Sequence, residues 1–221
     1  MKIVLGLSGG LDSATLLAYF LEQRFQVHCC IFAYASKHNN YELASAGKIV
    51  AHYKELGFPI TFQIIDVPAL AAMKSDLLVS GGKIPEGHYQ SESMKSTVVP
   101  GRNLIFASIL AGIAESLQYT HIALGVHAGD HHIYPDCRPE FISALNTTIE
   151  ASTNGTVRVL APFIFLTKGD IVAKGIFLQV PYELTRTCYK NQGVSCGKCG
   201  SCVERLEAFA ENGISDPIPY E

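Results

Sequence analysis

Residues 3 to 21 read Ile-Val-Leu-Gly-Leu-Ser-Gly-Gly-Leu-Asp-Ser-Ala-Thr-Leu-Leu-Ala-Tyr-Phe-Leu. Ile3, Val4 and Leu5 are a short, β-branched apolar run, the pattern of a buried parallel strand. Ser8 to Ser13 is a tight polar turn, and Ala14 to Phe20 has the composition of a helix. Strand, glycine turn and helix in that order make an anion site. The first helical N–H groups have no partner within the helix and point beyond the turn. Gly9 and Gly10 let the backbone approach such a group, and Ser8 and Ser13 add hydroxyl donors. No Lys-Ser/Thr follows the glycines, so this is not the Walker-type phosphate loop. The third glycine of the dinucleotide fingerprint is absent as well.

The rest of the chain repeats the alternation. Val27–Tyr34 reads as a second strand, with Cys29 and Cys30 as small core residues. Tyr41–Leu56 reads as a helix, ended by Gly57 and Pro59, and Ile60–Asp66 as a third strand. Leu104–Gln118 is a strongly apolar helix introduced by Arg102 and Asn103; His121–Val126 and Val157–Leu160 are further strands. Phe141–Ala151 forms a helix behind Pro139, and Thr167 with Asp170 an approximate capping box for another. Strands alternating with helices build a parallel sheet. Pro68–Thr97 breaks the rhythm with serines, glycines and prolines, and reads as a lid loop.

Composition excludes several classes. The chain has 221 residues, 48% hydrophobic, enough for one sizeable α/β domain. No apolar run reaches membrane-spanning length and no signal-peptide core is visible, so a cytoplasmic protein is expected. The net charge is −3 and no Lys/Arg block occurs, which disfavours a large nucleic-acid partner.

Two later stretches carry chemistry. The loop Gly125–Phe141 leaves the carboxyl end of a strand, where ligands of open α/β sheets sit. It carries Asp136, Arg138 and Glu140, whose carboxylates could accept the paired N–H donors of a guanine-type ring. His127, His131 and His132 lie there too, but match no familiar zinc spacing. Near the C-terminus Cys188, Cys196, Cys199 and Cys202 are separated by seven, two and two residues, with Gly193, Gly197 and Gly200 among them. The set suits a structural zinc; an iron–sulfur cluster and a redox pair are the alternatives.

Ser8 to Ser13 resembles the pyrophosphate loop of the N-type ATP pyrophosphatases. Adding Val99-Pro100-Gly101-Arg102-Asn103, Tyr134-Pro135-Asp136-Cys137-Arg138-Pro139-Glu140-Phe141 and the clustered cysteines, nearly the whole chain is similar to the 7-cyano-7-deazaguanine synthase family. The resemblance implies that 7-carboxy-7-deazaguanine, ammonia and ATP give the nitrile through an activated carboxylate and an amide, in queuosine or related deazapurine biosynthesis. It implies ATP binding by Leu7, Ser8, Gly9, Gly10, Leu11, Asp12, Ser13, Ala14, Thr15, Leu16 and Leu17, with Asp12, Ser13 and Arg102 catalytic and Asp12 holding Mg²⁺ or the loop. Substrate would meet Arg102, Asn103, Asp136, Arg138 and Glu140. One structural Zn²⁺ per chain would sit on Cys188, Cys196, Cys199 and Cys202, and the protein would be a homodimer. An amide synthetase stopping at 7-amido-7-deazaguanine and a tRNA-thiolating ATP pyrophosphatase are the alternatives.

One stretch departs from the family. Where the family has Phe-Asp-Tyr-Gly-Gln-Arg-His, this chain has Phe32-Ala33-Tyr34-Ala35-Ser36-Lys37-His38. Sequence and resemblance together predict a doubly wound α/β fold with a parallel five-stranded sheet in the order 3-2-1-4-5. Residues 1–180 form the nucleotide-binding domain, with the lid near 68–97, and 181–221 a small zinc-binding element packed upon it.

Overall fold

The computed structural model describes residues 1–221. Five strands make one parallel sheet: β1 (Lys2–Gly6), β2 (Gln26–Ala33), β3 (Ile60–Asp66), β4 (His121–Ala123) and β5 (Arg158–Leu160). Their order is β3-β2-β1-β4-β5, as predicted. The helices are α1 (Leu11–Glu22), α2 (Asn39–Glu55), α3 (Arg102–Ser116), α4 (Pro139–Ser152), α5 (Lys168–Phe177) and α6 (Gly200–Glu211). No helix is long and apolar enough to cross a membrane.

Strand periodicity sorts the core into two layers. Ile3, Leu5, Val27, Cys29 and Ile31 face one side, packed with Leu16 and Leu17 of α1, Ile49 of α2, Ile171 of α5 and Phe209 of α6. Val4, Cys30, Phe32 and Ile122 face the other, packed with Leu110 of α3 and Leu145 and Ile149 of α4. Cys29 and Cys30 are therefore core residues of opposite layers. Both faces are covered, which is why β1 and β2 read as unbroken apolar runs.

The order places the turn of direction between β1 and β4. Chain leaving β1 goes one way and chain leaving β4 the other, opening a crevice at their carboxyl ends. Helix α1 starts at Leu11, three residues before the apolar pattern begins, so Asp12 and Ser13 belong to its first turn. Strand β4 is shorter than its apolar run: Leu124 still donates to Leu160 O, but Gly125 and Val126 have turned into the loop.

Residues 68–97 differ most from expectation. Leu70, Leu77, Leu78, Met94 and Thr97 are buried, and Ser36 pairs with Leu78 in an isolated bridge. Lys37 Nζ donates to the carbonyls of Asp76, Gly81 and Gly82, clamping the glycine turn. Much of the segment is thus anchored to the second core layer.

The C-terminal residues are tied in by a buried guanidinium. Arg205 on α6 is fully buried and donates through Nε and Nη2 to both oxygens of Asp216, at 2.6 and 2.9 Å. It also donates to Thr185 Oγ1, Thr187 Oγ1 and Tyr182 O. Every N–H is used, on two separate stretches of chain, residues 182–187 and Asp216. Removing one partner of such a pair leaves an unpaired buried charge. Arg205→Ala should therefore destabilise the protein by about 3–5 kcal/mol, measurable by urea unfolding. A loss below about 1 kcal/mol, the range of an exposed pair, would contradict this.

Candidate active site

A cleft of about 250 Å³ opens at the carboxyl ends of β1 and β4. Its floor is the turn from Leu7 to Ser13. Ser13 Oγ accepts from Ser8 N at 3.2 Å and donates to Gly10 O, which also accepts from Ala14 N. No side chain caps the N-terminus of α1. The first N–H groups of that helix are therefore free for an anion. Gly9 has a different role from the one expected. Its φ is +78°, and a Cβ there would lie 2.7 Å from Ala46 N and Glu42 O. The missing side chain makes room for α2 rather than for a ligand.

Beside the loop lies a buried charge cluster. Lys168 Nζ at the start of α5 is 2.6 Å from Asp12 Oδ2 and 3.3 Å from Glu204 Oε2 of α6. His127 Nε2 is 3.2 Å from Asp130 Oδ2 and 4.0 Å from Asp12 Oδ2. Burial opposes the charge on Lys168, yet Asp12, Glu204 and Asp130 outweigh it and push its pKa up. Burial likewise works to raise Asp12, but Lys168 and His127 hold it below the usual carboxylate range. Burial, with Lys168 adding to it, lowers His127 to about 4, so this histidine is neutral at pH 7. Asp130 is pushed up to about 6 by its burial. Asp12 Oδ1 has no partner.

The opposite wall is aromatic. Phe32 and Phe106 stack with centroids 3.9 Å apart, and Tyr34 meets Phe106 edge-on. Tyr134 and Tyr189 complete the surface, and Arg102 Nη1 donates to Tyr34 Oη at 3.2 Å. Arg186 lines the cleft near the loop, its backbone N–H on Gly9 O and its guanidinium over the Tyr41 ring. One end of the cleft thus offers uncapped N–H groups, hydroxyls and cations to an anion, and the other offers flat surfaces to a planar ring.

Of the residues expected at the site, Leu7, Ser8, Gly10, Leu11, Asp12, Ser13, Arg102 and Asn103 line this cleft. Ala14, Leu16 and Leu17 are buried in the core, and Thr15 hydrogen-bonds Leu11 O and Tyr182 Oη there. Asp136, Arg138 and Glu140 do not line it. Asp136 Oδ2 accepts from Asn103 N at 3.0 Å and its carbonyl accepts from Asn103 Nδ2. Arg138 Nε donates to His131 O, and Glu140 is exposed on the first turn of α4. The Asp136 carboxylate is spent on the α3 N-terminus, where it settles free N–H groups and orients Asn103.

The residues that sequence reasoning missed are Lys168, Glu204, Arg186, His38 and Glu42. Lys168 had a legible signal: it opens a helix just after the end of β5, on the edge where ligands bind. Glu204 had none, since it reads as one polar position of an amphipathic helix.

Away from the cleft, the sulfurs of Cys188, Cys196, Cys199 and Cys202 lie within 4.8 Å of one another, all buried. Backbone N–H groups of Lys198 and Cys199 point at Cys196 Sγ, at 3.4 and 3.3 Å, across Gly197 at φ +65°. The cluster can hold a metal ion.

The comparisons with known proteins were made on this background. A family model described as "Queuosine biosynthesis protein QueC" matches residues 2–213. A 7-cyano-7-deazaguanine synthase of Methanoregula boonei is 45% identical over all of both chains. One from a Marinomonas species is 41% identical over 100% of this chain and 98% of its own. Among solved structures, an NMN synthetase from Francisella tularensis has a TM-score of 0.54 at 14% identity, over 96% of this chain and 77% of that one. A tRNA thiolase from Methanococcus maripaludis, solved with its [4Fe-4S] cluster, has a TM-score of 0.52 at 15% identity, over 96% and 67%. At such identities these two share the fold.

The raised pKa of Asp130 carries a stability consequence. Its folded value exceeds its unfolded one, so its favourable contribution is complete below about pH 4 and lost as pH rises through 6. Above pH 6 the ionised group costs stability. Asp130→Asn should raise the unfolding free energy by about 1–2 kcal/mol at pH 7.5 and by almost nothing at pH 4. Urea unfolding at both pH values measures this; a gain at pH 4 equal to that at pH 7.5 would refute it.

Proposed function

The chain belongs to the family of queuosine biosynthesis protein QueC, and from that premise we infer that it is an enzyme with 7-cyano-7-deazaguanine synthase activity, the name its curated relatives carry. The reaction we propose for the cleft is ATP-dependent. The carboxylate of 7-carboxy-7-deazaguanine attacks the α-phosphorus, pyrophosphate leaves, and ammonia displaces AMP to give the amide. The amide oxygen is then activated in the same way, and AMP departs as the nitrile forms. A carboxylate oxygen is a poor leaving group and AMP a good one.

The observation that carries this reading is one cleft joining an uncapped helix N-terminus to an aromatic wall. The Ser8–Ser13 turn would hold the departing pyrophosphate, with Lys168 and Arg186 offsetting its charge. The deazapurine ring would lie against Tyr34, Phe106 and Tyr189, beside Arg102 and Asn103. Asp136 would serve through Asn103.

Mg²⁺ suits the unpartnered, buried Oδ1 of Asp12, a hard donor aimed at the same space. When bound it would neutralise phosphate charge. The cysteine cluster suits one Zn²⁺ per chain. Zn–S bonds of about 2.3 Å put tetrahedral sulfurs roughly 3.8 Å apart, in keeping with sulfurs all within 4.8 Å of one another. A cluster of several irons would spread its ligands further. We propose residues 181–221 as the zinc-bearing element of the nucleotide-binding domain. The protein would act as a cytoplasmic homodimer using free ammonia, with Phe62 and Ile64 exposed on the edge strand β3 available to the interface.

The departures from the family stretch bear on nitrile against amide. Ala33 pairs with Asp66 in the sheet, Ser36 sits in the bridge to Leu78, and Lys37 clamps the glycine turn. None of the three lines the cleft, whereas Tyr34 and His38, which match the family, do. The changes fall on the scaffold side of the loop, and this favours the nitrile as end product.

The test is a time course with the carboxylic acid, ammonia and excess ATP, read by mass spectrometry. Nitrile should appear after transient amide; amide accumulating alone would make the protein an amide synthetase. Asp12→Ala should cut turnover by at least about a hundredfold, equivalent to about 2.7 kcal/mol of transition-state stabilisation. Wild-type turnover in that variant would remove the role given to Asp12. For the metal, elemental analysis should give one zinc per chain, and Cys196→Ser should lose it together with thermal stability. Iron, or stable protein with no metal, would contradict the assignment.

A further inference from the structure

Among the cleft side chains without a role in the mechanism above, His38 and Glu42 stand together. His38, just before α2, is 3% exposed and lines the cleft. Its carbonyl accepts from Tyr41 N and Glu42 N, which fixes its backbone on the first turn of the helix. Glu42 lies one turn on, so the two side chains meet: His38 Nε2 is 3.3 Å from Glu42 Oε1. The imidazole leans on the Tyr189 ring, centroids 5.4 Å apart. Its other nitrogen, Nδ1, is buried and has no hydrogen-bond partner.

An unpaired buried imidazole nitrogen costs about 1–3 kcal/mol, and of the four histidines that carry one, His28, His38, His127 and His131, His38 is the one that lines the cleft. Here the unpaired atom belongs to a side chain facing the reaction space. With Nε2–H directed at Glu42, Nδ1 carries the lone pair, and protonation there gives an imidazolium beside a carboxylate. The turn of α2 that holds Glu42 is also the one packed against Gly9 of the phosphate loop. The pair therefore stands next to the place where AMP would be transferred.

We propose that His38, oriented by Glu42, is the base that takes protons from the substrate nitrogen. The proposal rests on the nitrile-forming reading given above. In the first round ammonia forms a C–N bond, the C–O bond to AMP breaks with AMP keeping the electron pair, and the ammonium nitrogen gives a proton to Nδ1. In the second, the adenylylated amide is an O-linked imidate cation that first gives one acidic N–H proton to solvent water. The remaining N–H then passes its proton to Nδ1, its electrons form the third C–N bond, and AMP leaves with the C–O pair. The imidazolium returns each proton to solvent before the next transfer. Activation of the carboxylate itself moves no proton from nitrogen and does not use the pair.

That asymmetry supplies the test. With the zinc-loaded enzyme, nitrile formation and ATP–pyrophosphate exchange dependent on the carboxylic acid are measured side by side for wild type, His38→Gln and Glu42→Gln. His38→Gln should slow amide and nitrile formation by about 100- to 10,000-fold, with exchange falling far less. Glu42→Gln should show the same split with a smaller loss, and it decides the matter if His38→Gln fails to fold. Nitrile formation at the wild-type rate, or equal losses in both reactions, would overturn the proposal. A wild type that exchanges pyrophosphate yet makes neither amide nor nitrile would overturn the reaction assignment, and the base with it.

Discussion

A lysine taken out of water must be met by carboxylates, and the meeting of Lys168 with Asp12 and Glu204 holds the site together. The three residues come from α5, α1 and α6, which share no sequence neighbourhood. Each charge is tolerable only because the others are within reach. The ion pairs fix the first turn of α1 relative to the end of the chain, and that turn is the one whose N–H groups are left free. The placement of the uncapped α1 N-terminus and the docking of the C-terminal residues are therefore consequences of one electrostatic requirement.

The surroundings keep that cluster balanced. Asp12, Asp130 and Glu204 bring three carboxylates to one lysine and a neutral histidine. Burial raises Asp130 and Glu204 while Lys168 holds Asp12 down. Asp12, next to the loop, is the most firmly ionised of the three, with one oxygen unpartnered. The site thus has a strongly basic lysine, a firmly ionised aspartate and an excess of negative charge that a divalent cation would relieve.

Much of the fold was legible because its signals are local. Apolar strand runs, Gly57 with Pro59, Pro139 and the Thr167–Asp170 box each act within one element, and the doubly wound order followed from their alternation and the family likeness. The strand, glycine turn and helix of residues 3–21 were legible for the same reason. What stayed hidden depends on contacts across the chain. Nothing near Glu204 says that it reaches Lys168, and nothing near Asp136 says that Asn103 has claimed it. His38 lay in a stretch whose departures drew the eye, and only its distance to Glu42 set it apart from them. The start of α1 was misjudged because Asp12 and Ser13 look like turn residues while serving as its first turn.

Helix α6 has a consequence for how such a chain can change over time. With its N-cap Cys199 it carries Cys202 of the cysteine cluster, Glu204 of the ion network, Arg205 with its clamp on Asp216, and Ala208 and Phe209 of the main core. A segment with so many simultaneous obligations is not an exchangeable module. Recombination that swapped the tail between distant relatives would have to import a compatible carboxylate, guanidinium and core surface together. The cysteine cluster is therefore tied to Glu204 and Ser201 of the cleft wall, and a chain that lost the cluster would have to rebuild that wall as well.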